Sequence, residues 1–288
     1  MRIKKAVIPV AGLGTRFLPF TKSVPKEMLP VVDIPAIQFI VEEAIASGIR
    51  EILLVTSKEK ESIARYFKRN KKLEALLKKS KKMKPLADLK SVPVNFRIKT
   101  VIQKKPKGLG DAILHAERFA RGGDFAVFLP DDIIFSGKPA IKQMMDAAQK
   151  YKKPVIGLER VEKKLVSSYG IVKPVKLSKR AFLIKDLAEK PSPKKAFSNL
   201  AIVGRYILPS SVFGYIRKTR PGAIGEIQLT DALHMLMKKE GLLGYEFDGD
   251  RCDTGNKEGY MITILKYASK KFGANRKIRA QARKSFNL

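Results

Sequence analysis

Short apolar runs separated by amphipathic stretches constrain this chain more than any other feature. Residues 3–10 (IKKAVIPV), 51–56 (EILLVT), 97–103 (RIKTVIQ) and 125–129 (FAVFL) each have the length and composition of one buried strand. Between the first two, PAIQFIVEEAIASG carries apolar residues at helical spacing and stops at Gly48. This alternation predicts an α/β fold. Its sheet should be mixed but mainly parallel, flanked by helices, with ligands at the carboxyl ends of the strands. Residues 57–90 read as helical, with Leu73, Leu76 and Leu77 forming an apolar stripe among lysines.

From about residue 155 the rhythm changes. PVIGLERV, YGIVKPV, AFLIKDLAEKP and LAIVGRYIL read as strands joined by turns, and no long helix returns until EIQLTDALHMLMKKEG. We expect a smaller, partly antiparallel lobe continuous with the first sheet. The expected organisation is one integrated domain over residues 1–288. It divides into a first lobe at 1–150, a second at 151–257, and a C-terminal helix with a basic tail at 258–288. At 44% hydrophobic residues, a chain of this length can bury a large core.

The single cysteine, Cys252, rules out an intrachain disulfide and a four-cysteine zinc site, and fits a reducing, cytoplasmic setting. No apolar run approaches the roughly 20 residues that span a bilayer, and the first residues lack a signal-peptide pattern. A net charge of +32 favours anionic partners. The lysines are nevertheless spread along the whole chain, without an RNA-binding aromatic signature, a basic zipper or helix-turn-helix spacing. We therefore expect a solvated lysine-rich surface with no specific nucleic-acid partner and no membrane partner.

Directly behind the first strand stands AGLGTRFLPFTKSVPKEMLP, residues 11–30. Glycines at 12 and 14 allow backbone to approach a phosphate closely. No Gly-Lys-Ser/Thr closes the loop, so it is not a P-loop. Phe17 occupies the place of the third glycine of a dinucleotide fingerprint. Arg16 adds forked donors suited to phosphate oxygens, and Lys26 adds a second cation. Read alone, the stretch leaves a phosphate loop and an ordinary turn both open.

The whole segment resembles the nucleotide-binding signature of the sugar-phosphate nucleotidyltransferases. Its PKEMLP ending is most similar to the bacterial UTP–glucose-1-phosphate uridylyltransferase branch, with the thymidylyltransferases as the nearest alternative. The resemblance continues through KGLGDA (107–112), LPDD (129–132), YGIV (169–172), EKP (189–191), SNLAIVGRY (198–206), GEIQLTDAL (225–233) and DTGNKEGY (253–260). It implies a Rossmann-like nucleotide-diphospho-sugar transferase fold. The implied reaction joins UTP and glucose 1-phosphate into UDP-glucose with release of pyrophosphate, and the implied assembly is a homo-oligomer, dimer or tetramer.

The same resemblance assigns roles. The loop Gly12, Gly14, Thr15 and Arg16 would cover the triphosphate together with Lys26, Arg16 chiefly facing the departing pyrophosphate. Ala11 and Gly12 would lie against the base, with Glu27, Gln103 and Gly108 near the base and nucleoside. Asp131 and Asp253 would hold Mg2+, an ion that prefers oxygen ligands; Asp132 is the weaker candidate, and turn capping is the plainer role for all three aspartates. Gly170, Glu189, Asn199 and Val203 (or Ala201) would border the sugar, and Lys190 its phosphate. One departure stands out: these enzymes commonly carry histidine after KGLG, where this chain has Asp111. No general base is needed, because a phosphate monoester is already an anionic nucleophile. His115, His234 and Cys252 read as ordinary packed or surface residues, and Glu226 and Asp231 as helix-capping groups.

Overall fold

The structure is a computed structural model, and it describes residues 3–222, 225–273 and 275–286. Among the described residues thirteen strands form in chain order: β1 (Lys5–Pro9), β2 (Pro30–Val31), β3 (Ile34–Pro35), β4 (Glu51–Thr56), β5 (Arg97–Ile102), β6 (Phe125–Phe128), β7 (Asp132–Phe135), β8 (Val155–Arg160), β9 (Gly170–Lys176), β10 (Ala181–Glu189), β11 (Leu200–Leu208), β12 (Leu243–Glu246) and β13 (Asp250–Asp253). Nine of them make one sheet in the order β5-β4-β1-β6-β11-β8-β12-β10-β9.

Strands β5, β4, β1 and β6 run parallel to one another. Strand β11 enters antiparallel between β6 and β8, so the two halves of the chain share one continuous sheet. Beyond it, β8 and β12 are parallel, and β10 is antiparallel to both β12 and β9. This is the mixed α/β architecture expected from the alternation of runs.

Side-chain period explains why the first strands read as continuous apolar runs. Val7, Leu53, Val55 and Val127 point to one face of the sheet, where they join Ile113, Phe213 and Leu233. Ala6, Ile8, Ile52, Leu54, Ala126 and Phe128 point to the other, packing on Ile37, Ile40 and Met144. A sheet covered on both faces needs apolar residues at every position rather than at alternate ones.

Several local features were not expected. The stretch 57–90 is a 3-10 turn, Lys58–Lys60, followed by three α-helices, Glu61–Tyr66, Lys71–Lys79 and Met83–Lys90, rather than one helix. The Asn70 side chain caps the second by accepting from Leu73 N, and Lys81 breaks the path at φ 54°. A short helix, Val212–Lys218, precedes the expected Leu229–Glu240, and the tail after Lys257–Phe272 forms a further helix, Arg276–Phe286. The turn after β6 leads into β7, which pairs with β13 in a small antiparallel ribbon (Asp132↔Asp253). Through that ribbon the C-terminal region closes over the carboxyl edge of the sheet.

Candidate active site

As the chain leaves β1, Val10 N donates to Val55 O (2.7 Å), and the glycine loop follows. Gly14 takes φ 68°, a conformation open to glycine, while the Thr21 hydroxyl donates to its carbonyl (2.8 Å). A Cβ at Gly14 would stand 3.3 Å from Lys26 Cβ, so this close approach brings Lys26 up against the loop. Gly12 is different: a Cβ there would meet nothing within 4 Å. No packing requirement of the protein explains that glycine, and the space over it is open.

Beneath the loop lies a buried ion pair. Lys60 Nζ donates to Glu27 Oε1 and Oε2 (3.0 and 2.9 Å) and to the Gly12 carbonyl (2.6 Å). Glu27 is only 2% exposed, so it braces the loop from below. Burial pushes the Glu27 carboxyl up and the Lys60 ammonium down from their ordinary values, against their mutual attraction. Lys60, one of 59 basic residues, carried no signal that would have singled it out.

Above the loop, the residues at 16, 26, 131 and 253 converge. Lys26 Nζ donates to Asp131 Oδ2 at 2.7 Å. Burial works against both charges, but the pairing prevails: Asp131 is held below and Lys26 above its ordinary value. Thr254 pins the Asp131 carbonyl with its N–H (2.7 Å) and its hydroxyl (3.0 Å). Asp253 Oδ1 accepts from Gly255 N (2.7 Å), and Arg16 Nη1 donates to the Gly255 carbonyl (3.2 Å). A Cβ on Gly255 would lie 2.9 Å from both Asp131 Oδ2 and Asp253 Oδ1, so the two carboxylate oxygens lie close to one point beside this glycine. Two hard oxygen donors so placed suit a divalent cation that takes its remaining ligands from water and phosphate. No cluster of three or more potential metal ligands occurs among the described residues.

Asp132 faces away from this group. Its carboxylate accepts from Gly204 N (2.6 Å) and Arg251 Nε (2.7 Å), and Arg251 also reaches Glu159 (2.9 Å). The irregularity in β11 between Ile202 and Tyr206 brings Gly204 there. The adjoining Arg205 is fully buried. It pairs with Glu43, bonds the carbonyls of Gly204, Leu129 and Asp132, and lies 4.9 Å over the Phe128 ring. Glu43 Oε1 in turn accepts from Ile141 N at the start of the helix Ala140–Tyr151. Nothing in GRY announced that this arginine would hold the turn preceding β7.

At the end of β5, Gln103 N donates to Thr56 O (2.8 Å) and its side-chain Nε2 to Asp111 Oδ2 (2.6 Å). Gly108 and Gly110 have a packing reason: a Cβ on either would press to within 2.8 Å of the Ile227 carbonyl. KGLG and GEIQ thus lie directly against each other, with Gly110 N donating to Ile227 O and Ile227 N to Lys107 O.

In the second lobe, Gly170 and Glu189 are register partners on β9 and β10. Thr230 donates to Glu189 Oε2 (2.7 Å), a contact that the reading of EIQLTDAL did not anticipate. Lys190 takes φ 45°, left-handed backbone unusual for a lysine, and its ammonium lies 3.9 Å from Glu189 Oε1. The structure does not bring Asn199 or the Val203 side chain to this group. Asn199 is exposed at the start of β11 and donates to Val161 O (3.4 Å), while Val203 is buried against Ala140 and Phe247. His234 pairs with Asp186 (3.1 Å), and Cys252 is buried.

A mixed sheet with a glycine loop at the carboxyl edge of β1, and with two cations and two carboxylates gathered above it, is the arrangement of a nucleotidyltransferase. The nucleotidyl transferase family model matches residues 5–270, and the chain belongs to that family. Within it, the chain is similar to UTP–glucose-1-phosphate uridylyltransferase 2 of Staphylococcus saprophyticus, 46% identical over 269 residues and 93% of each chain. It is also similar to a UDP-glucose pyrophosphorylase solved with UDP-glucose (TM-score 0.85, 40% identity, covering 93% of this chain and 100% of that one). A UTP-bound UGPase from Acinetobacter baumannii matches with TM-score 0.87 and 40% identity, covering 93% of this chain and 94% of the other.

Proposed function

We propose that this chain transfers the uridylyl group of UTP to glucose 1-phosphate. The convergence of Arg16, Lys26, Asp131 and Asp253 above an open glycine loop carries this reading. The names and bound molecules of the relatives support it. A phosphate oxygen of glucose 1-phosphate attacks the α-phosphorus of UTP, the bond from that phosphorus to the bridging oxygen breaks, and pyrophosphate leaves with the electron pair. Two polyanions must be brought together, so the protein contributes chiefly positioning and charge neutralisation.

Gly12 and Gly14 let the triphosphate lie against backbone, with Ala11 under the base and Thr15 at the phosphates. Arg16 neutralises the departing pyrophosphate. Lys26 acts as the counterion of Asp131 until phosphate arrives, then serves the α-phosphate. Glu27 contributes through Lys60, by fixing the Gly12 carbonyl. Asp131 and Asp253 would hold Mg2+, which supplies further charge neutralisation on the phosphate oxygens. Gly170 and Glu189 receive the hexose, Thr230 orients Glu189, and the strained Lys190 backbone directs its ammonium at the sugar phosphate. Asn199 and Val203 contribute here only as backbone and rim of the second lobe.

The lobes at 1–150 and 151–257 correspond in this reading to the nucleotide and sugar-phosphate halves, with 258–288 as an accessory tail. We also propose a cytoplasmic homo-oligomer without a specific nucleic-acid or membrane partner. Exposed Met261, Ile262 and Leu265 on the helix Lys257–Phe272 support an apolar contact between copies. No helix among the described residues is long and apolar enough to cross a membrane.

Pyrophosphate release from glucose 1-phosphate with UTP, dTTP, CTP and ATP tests the assignment: UTP should give the highest kcat/KM, and a preference for dTTP would refute it. A glycine pair tests the loop. Gly12→Ala should fold with stability within about 0.5 kcal/mol of the parent while KM for UTP rises about tenfold, because the methyl enters space meant for ligand. Gly108→Ala, at φ 98° and against Ile227 backbone, should instead cost about 1–3 kcal/mol in thermal or denaturant melts. Equal effects of the two on stability would count against the open-loop reading.

A further inference from the structure

Gln103 stands immediately after β5, two strands from β1 and its glycine loop, with its backbone tied to Thr56 at the end of β4. Its side chain is almost withdrawn from solvent, yet only one end of the carboxamide has a protein partner. Nε2 donates to Asp111 Oδ2 at 2.6 Å. A carboxylate accepts and does not donate, so this contact fixes which way the amide faces. Oε1 must point away from Asp111, and no group among the described residues donates to it. Nor is it sealed in: the only fully buried side-chain polar atom without a partner among the described residues is the Ser62 hydroxyl. Oε1 is therefore an unused acceptor with some access to solvent.

Asp111 is itself held. It lies in the first turn of the helix Leu109–Leu114, which Gly110 N fastens to Ile227 O (2.8 Å). His115 Nδ1 bonds the Asp111 carbonyl (2.9 Å) and lies 3.9 Å from its carboxylate.

We infer that Asp111 is a positioning residue that locks the Gln103 carboxamide with Oε1 toward the nucleobase, selecting bases that carry an N3–H over cytosine. Uracil offers a donor at N3 that this acceptor can take. Cytosine offers a lone pair at N3, which would face the oxygen and leave both acceptors unpaired on binding. Thymine shares the uracil edge, so Asp111 sets no preference between those two.

The inference rests on the uridylyl reading above, and its test separates the two. Values of kcat/KM for UTP, CTP and dTTP are measured for the parent chain, Asp111→Asn, Gln103→Met and the double variant, each with a thermal melt. An asparagine can donate as well as accept, so it frees Gln103 to turn over. Asp111→Asn should lower the UTP:CTP ratio about tenfold, the scale of one hydrogen bond. The UTP:dTTP ratio and KM for glucose 1-phosphate should stay unchanged. In the Gln103→Met background the same substitution should move the UTP:CTP ratio no further. An unchanged ratio in Asp111→Asn, whether or not the melt shifts, would overturn the inference and leave the uridylyl assignment standing. An equal loss in both backgrounds would overturn it as well. A parent chain with no preference for UTP over CTP would instead bring down the assignment on which it rests.

Discussion

Asp131→Asn is expected to lower kcat by about a thousandfold with the fold intact, the scale on which one preorganised electrostatic partner of a transition state contributes. The substitution keeps an oxygen for Lys26 to donate to and leaves the Thr254 contacts untouched, since those go to the backbone carbonyl. It removes the negative charge that lies with Asp253 beside Gly255. Both partners of the Lys26–Asp131 pair are partly exposed, so solvent screening should limit the change in stability to about 1 kcal/mol. Steady-state pyrophosphate release alongside a thermal melt reads both quantities. A variant that keeps a tenth of the parent activity would remove Asp131 from the proposed site.

The second large effect is one of stability. Glu43→Ala should cost about 3–5 kcal/mol, because it strands the Arg205 guanidinium at zero exposure without its carboxylate. Replacing both partners with apolar residues of similar volume should recover only part of that loss. Arg205 also donates to the Asp132 carbonyl (2.7 Å), which would lose that partner, whereas the Gly204 and Leu129 carbonyls keep backbone donors from Leu129 N and Asp132 N. Denaturant unfolding of the single and double variants checks this. A loss below about 1 kcal/mol for Glu43→Ala would mean that water or a neighbour takes over the charge.

Much of the fold was legible because burial leaves a periodic trace. The runs at 52–55 and 125–129 are apolar at every position because both sheet faces are covered, and they form the core of β4 and β6. What was illegible is long-range pairing. No pattern in LAIVGRYIL tells that β11 inserts between β6 and β8, since antiparallel insertion is decided by partners far along the chain. The boundaries within 57–90 were missed because lysines tolerate helix and turn alike, and only the Asn70 cap and the backbone at Lys81 divide the segment.

The site divides in the same way. Short-range groups such as Gly12, Gly14 and Arg16 sit in one recognisable stretch. Lys60, Thr230 and Arg251 do their work by reaching across the fold, and nothing local distinguishes them from other lysines, threonines and arginines. Val203 shows the opposite case: a residue inside a telling block whose side chain packs in the core, leaving its backbone as the part that could border a ligand.

The ribbon between β7 and β13 carries one more consequence. Thr254 grips Asp131 across 123 residues of sequence, and Asp253 sits opposite Asp132 in that ribbon. During synthesis the glycine loop and Asp131 emerge well before their counterpart, so a nascent or truncated chain presents the proposed phosphate-binding edge with only half its acidic pair. If the proposed site holds, catalytic competence requires the segment carrying Asp253 and Thr254 to have been made and to have folded back onto Asp131. On the proposed assignment, a chain ending before Asp253 is expected to be inert rather than partly active.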